Sequence, residues 1–102
     1  MKAVYADFMK MDCEGRLRLV CIGTKNDLAT YTLELCDGMR LALWNDDQDD
    51  EGNRDDLLVE GKIGWNADAQ EWFAVVDFSS IKNRSQLTNE ELERLEGLPI
   101  CD

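Results

Sequence analysis

Asp47, Asp49, Glu51, Gly52 and Asp55 stand at relative positions 1, 3, 5, 6 and 9 of a calcium-loop spacing, in which alternating oxygen ligands surround a glycine turn. Position 12 is Leu58, so the bidentate carboxylate that completes such a site is missing, and the flanks read as strands rather than helices. One expectation is therefore a divalent-cation site, with calcium as the ion and Asp47, Asp49, Glu51 and Asp55 as ligands. The other is an acidic hairpin loop that keeps a sheet edge soluble.

Aromatic side chains offer a second kind of chemistry. Tyr31, Trp72 and Phe78 share strand faces with aliphatic residues and are expected in the core. Trp44, Trp65 and Phe73 fall on the opposite faces or at strand ends. In a small open barrel such residues line a peptide groove or a cage for a cationic group, which makes these three the expected protein-binding residues. The alternative is that the C-terminal segment, with Leu92 and Leu95, covers them. Catalysis has less support: the chain has no histidine, no glycine-rich phosphate loop and no GxSxG. Glu60 could be set against Glu71 or Asp77 as acid and base, but among twenty-two acids some face each other by chance. A small hydrolase is the weakest reading.

The chain of 102 residues has twenty-two acids against eleven bases, a net charge of −11. That surface repels phosphate backbones, so nucleic-acid binding by a basic face is not expected, whereas a basic protein partner or a divalent cation suits it. The N-terminal MKAVYADFMKMD carries Asp7 and Asp12 and no long apolar run, so neither a signal peptide nor a membrane span is expected, and the location expected is cytoplasmic. Cys13, Cys21, Cys36 and Cys101 form no CxxC and have no histidine to join them as zinc ligands. In a reducing compartment they are expected as ordinary thiols, Cys21 within a strand of the core and Cys101 in the tail.

The elements that position these residues follow from hydrophobic alternation. Leu57 to Phe78 predicts a hairpin with strands over 57–65 and 70–78, pairing Trp65 with Gln70, Ile63 with Trp72, Gly61 with Ala74, Val59 with Val76 and Leu57 with Phe78. Strands over 2–11 and 16–24 join through Cys13-Glu14-Gly15, a three-residue loop with Gly15 left-handed, which sets Asp12 opposite Arg16 and Met11 opposite Leu17. Thr24 and Asp27, three apart, predict one helical turn over 25–29. Strands over 30–36 and 39–45 join through Cys36-Asp37-Gly38, pairing Leu33 with Leu41 and Glu34 with Arg40, as though the same turn were used twice. The segment 45–56, with seven acids against Arg54, contributes −6 of the −11 and is expected outside the core as a mobile loop. Thr88 caps a helix over 89–96, with Glu91 three residues on, Leu92 and Leu95 as its stripe, and Gly97 and Pro99 beyond it.

These elements predict a single all-β domain: a bent barrel of about six antiparallel strands, similar to SH3-like and Tudor-like barrels, with one short C-terminal helix across an opening. The function expected is a non-enzymatic protein-binding or regulatory module without a cofactor, such as an inhibitor, an immunity-type protein or a regulatory subunit. The carboxylates of 46–56 would steer a basic partner, and Trp44, Trp65 and Phe73 would anchor it.

Overall fold

The computed structural model describes residues 1–101 and shows a mainly-β chain, a curled half-barrel sheet with two short helices. The elements are β1 (Val4–Tyr5), β2 (Leu17–Arg18), α1 (Ile22–Tyr31), β3 (Arg40–Asn45), β4 (Leu57–Asn66), β5 (Glu71–Val76), β6 (Lys82–Asn83) and α2 (Asn89–Glu96). The sheet order is β1-β3-β4-β5-β2, and β6 pairs with the start of β4. β1 runs parallel to β3, where an all-antiparallel sheet is predicted. The N-terminal segment meets both ends of this order: Val4 and Tyr5 pair with β3, while Met11 bridges to Leu17 of β2.

The predicted hairpin forms, with its register moved by two residues. Trp65 pairs with Trp72, Ile63 with Ala74 and Gly61 with Val76. Asn66 sets this shift, because its side-chain oxygen accepts from the N–H groups of Asp68 and Ala69, and Gln70 closes the turn at a φ of 53°. An even shift leaves every side chain on its expected face. Val59 and Ile63 of β4, Leu41 and Leu43 of β3, and Ala74 of β5 are buried in the concave core with Val4, Leu17 and Leu19. Leu57, however, pairs with Asn83 rather than Phe78, because β5 ends at Val76 and the chain turns through a 3-10 segment at Phe78–Ser80 that leaves Phe78 exposed.

The largest departure is α1. Strands are predicted over 16–24 and 30–36, yet Ile22–Tyr31 is helical and Leu33 to Leu35 belongs to no strand. No edge of β3 is left for that second strand: β4 takes one side over its whole length, and Val4, Tyr5 and Ile100 take the other. Leu33 and Leu35 still pack on the core, so the alternation predicts their direction while mistaking their partner. The helix ends in a Schellman pattern, in which the Leu33 N–H reaches the Leu28 carbonyl at 2.9 Å and the Thr32 N–H reaches Ala29 at 3.2 Å. α2 and its Thr88–Glu91 capping box form as predicted, and Leu95 packs with Leu98, Ala42 and Leu58 on the convex side of the sheet.

Two cysteine expectations are corrected. Cys36 and Cys101 are bonded to each other, where reduced thiols are predicted, because the pairing of Ile100 with Arg40 brings the tail beside the turn before β3. Cys21 is the N-cap residue of α1 rather than part of a strand. No helix among the described residues is long and apolar enough to cross a membrane.

The Schellman pattern places Thr32 at a φ of 55°, in the left-handed region that a β-branched residue enters at a cost. Replacing Thr32 with glycine is expected to stabilise the protein by about 1 kcal/mol in urea unfolding, with no change in the cooperativity of the transition. A destabilised Thr32→Gly protein would show that Thr32 contributes contacts that outweigh its backbone strain.

Candidate functional site

The three aromatic residues expected at a binding surface occupy three separate places. Trp44 and Phe73 are both on the convex side, but Trp44 lies opposite Leu58 and Phe73 opposite Gly64, six positions apart along β4 and so separated by roughly 20 Å. Trp65 is on the other face at the hairpin end, exposed and packed edge-to-face against Trp72 at 5.0 Å. Each of the other two already has a cation over its ring. The Arg16 guanidinium lies 4.0 Å from the centroid of Phe73, and Arg54 lies 5.2 Å from that of Trp44. Beneath Phe73 the chain has glycine for a steric reason, since a Cβ on Gly64 would overlap the ring.

The acid-rich segment is not a loose loop. Its backbone continues the β3–β4 ladder without a change of register, with Gln48 bridged to Arg54 and the Asp49 N–H bonded to the Asn53 carbonyl at 2.8 Å. The turn at its tip has the same construction as the N-terminal one. In Asp12-Cys13-Glu14-Gly15-Arg16 the Asp12 carboxylate accepts from the N–H groups of Glu14 and Arg16. In Asp49-Asp50-Glu51-Gly52-Asn53 the Asp49 carboxylate accepts from Glu51 and Asn53. Gly15 and Gly52 both take a positive φ. The turn used twice is therefore this one, and Cys36-Asp37-Gly38 is a different turn closed from Met39 to Cys36. Asp47 accepts from the Asn83 amide at 2.7 Å and Asp55 from Ser85, so the acids proposed as calcium ligands are spread among separate partners. Among the described residues no three acidic or thiol groups converge to hold a metal ion.

A groove that the sequence does not announce lies between α2 and β4. β6 pairs with Leu57 and Leu58, and β5 with Gly61 onward, which leaves Val59 and Glu60 without a strand beside them on that edge. The opening has a volume of about 320 Å³, with Leu58, Leu87 and Leu95 in its lining and Glu60, Asp77 and Glu91 among its polar groups. Glu60 is matched by two guanidiniums, Arg94 at 2.7 Å and Arg40 at 3.3 Å, and Glu91 by Lys82 at 3.0 Å. Asp77 has no cation partner among the described residues; hydrogen bonds from Ser79, then Ser80, hold its carboxyl below the usual range. The only signal for this groove in the sequence is the polar stretch 79–87, whose Leu87 stands out from its neighbours. Glu60 and Glu71, candidates for an acid–base pair, are each bound to arginine instead, Glu71 to Arg18 at 2.8 Å. Compared with known proteins, the chain matches no family model, no curated protein and no solved structure.

Two outcomes follow from these partners. The hydrogen bond from Arg94, and then that from Arg40, holds the Glu60 carboxyl below its ordinary value. A depressed folded-state pKa contributes stability that is complete above the unfolded value, near 4.3, and is lost as pH falls through the folded one. Glu60→Gln is expected to cost about 1 kcal/mol at pH 7, and the wild type to lose more stability than the variant between about pH 5 and 3 in urea titrations. Equal losses would remove Glu60 from the acid response. In the acidic turn, Asp49→Asn keeps an acceptor and should preserve the Tm, whereas Asp49→Ala should lower it by a few degrees, roughly 2–5 °C, with or without calcium. Rescue of the alanine variant by calcium would reverse that assignment.

Proposed function

We propose that the chain is a non-enzymatic protein-binding module whose groove between α2 and β4 receives an apolar side chain of a basic partner. The observation that carries this reading is the leucine-lined groove beside Asp77, a carboxylate with no cation partner among the described residues, on a chain of net charge −11. The acidic hairpin at 46–56 steers association over a Debye length, and the groove supplies the anchor. Trp65, exposed at the hairpin end on the opposite face, lies outside this contact. The finer likeness to SH3-like and Tudor-like barrels belongs to this proposal and is supported by β4, which serves β3 along one edge and β6 and β5 in succession along the other.

The test uses a lysine- and arginine-rich peptide with a single leucine, titrated into labelled protein by NMR. Saturable shifts are expected at the methyl groups of Leu58, Leu87 and Leu95, with affinity falling roughly tenfold when salt is raised to physiological strength. Equal binding by an acidic peptide with the same leucine, or shifts confined to other surfaces, would overturn the proposal.

A further inference from the structure

On the other side of α2's sheet contact, where α1 passes β1 and β3, a second cavity of about 220 Å³ has Asp27, Tyr31, Trp44, Arg54, Asp56 and Arg84 in its lining. Its side-chain charges sort into one neutralised pair and two unmatched groups, and Met1, the N-terminal residue, also lines it. Arg54 binds both oxygens of Asp56 through its Nε at 3.0 Å, so these two charges cancel. The Arg84 guanidinium makes neither an ion pair nor a hydrogen bond among the described residues, although the chain has twenty-two acids to offer. Asp27 uses a single oxygen, Oδ2, for both its hydrogen bonds, from the Tyr5 N–H at 2.8 Å and the Trp44 indole N–H at 2.9 Å. Its Oδ1 accepts nothing among the described residues, and no cation among them lies within ion-pair distance of it.

The cavity thus presents one free side-chain cation and one free carboxylate oxygen, beside an indole whose orientation is fixed by its own hydrogen bond. The terminal nitrogens of Arg54 and the Tyr31 hydroxyl also make no hydrogen bond among the described residues, which adds donors on the cationic side. A purely anionic ligand would leave Asp27 facing it, and a purely cationic one would meet Arg84. A ligand carrying both charges satisfies both, because each desolvated charge is then paired rather than buried alone. From this arrangement we infer that the cavity binds a small zwitterion of the α-amino-acid class, its carboxylate on Arg84 and Arg54, its ammonium on Asp27 Oδ1 and its side chain against Trp44. Leu58 lines both this cavity and the groove between α2 and β4, but Asp27, Trp44, Arg54 and Arg84 line this one alone, so neither proposal depends on the other.

The experiment follows the Trp44 indole N–H signal of the intact protein during titration with glycine, L-leucine and L-phenylalanine, and then with leucinamide and N-acetyl-leucine, which lack one charge each. A saturable shift is expected with at least one of the amino acids, and both blocked derivatives should bind at least about tenfold more weakly. Arg84→Gln, at an exposed position, should weaken the amino acid by a similar factor and leave the rest of the amide spectrum in place. Three results would overturn the inference: no shift with any of the three amino acids, equal binding of the blocked derivatives, or an equal response to acetate alone, which would mark a simple anion site.

Discussion

The backbone of Tyr5 is the joint on which the arrangement of helix and sheet depends. Just after β1 the Ala6 N–H points to β3, where it meets the Trp44 carbonyl at 2.9 Å, so the polar groups of Tyr5 point the other way, to an edge that would otherwise be open. Helix α1 fills that edge with side chains. Asp27 accepts the Tyr5 N–H at 2.8 Å, and the Thr24 hydroxyl donates to the Tyr5 carbonyl at 2.5 Å. Two residues three apart on one helical face thereby reproduce the donor and acceptor of a neighbouring strand. Because the same Asp27 oxygen also takes the Trp44 indole N–H, the joint fixes α1, β1 and β3 together and orients the ring that walls the cavity.

The same two residues explain where the sequence misleads. Thr24 and Asp27 have the spacing of a capping box, and that spacing predicts a single helical turn starting after Thr24. The spacing is meaningful, but its object is Tyr5 rather than the helix's own N-terminus; α1 starts at Ile22 with no side-chain cap, and Thr24 is buried inside it. Side-chain bonds of this kind leave no periodic trace, and the apolar positions of the helix, Leu28 and Tyr31, run directly into the alternating Leu33 and Leu35 that imitate a strand. The features that were legible rest on local causes: the faces of the β4–β5 hairpin, β3, the Gly15 turn and the capped helix α2. Those that were not, including the groove and the pairing of Cys36 with Cys101, are made by segments far apart in the chain.

The acids show how one composition can support two readings. A count of −11 with alternating carboxylates suggests a metal, yet Asp7, Asp12, Asp49 and Asp77 each accept the backbone N–H two residues on. Aspartate at the first position of a turn satisfies a backbone donor where the sheet can no longer do so. The acid excess is in part the cost of closing many tight turns in a short chain, and its field acts on partners as a consequence. Among the described residues five of the six arginines meet a carboxylate, a ring or both, Arg84 being the exception: Arg16 lies between Asp12 and Phe73, and Arg54 between Asp56 and Trp44.

This economy of edges decides which surfaces remain for recognition. β3 is paired on both sides, by β4 and by β1 with Ile100, and α1 covers the polar groups of Tyr5. A partner therefore finds little exposed ladder on these strands to extend with a strand of its own. On the edge away from β3, β4 is left without a strand beside Val59 and Glu60, where β5 has turned away and β6 has not yet arrived, and there Glu60 directs its carboxylate to Arg94 and Arg40. The gap lies over leucines contributed by β4, by the segment after β6 and by α2. A break in strand pairing that exposes an apolar floor is stable only if the elements around it are held apart by other bonds. The Arg94–Glu60–Arg40 contacts and the Lys82–Glu91 pair supply those bonds, so the ion pairs that dock α2 on the sheet also keep the groove open.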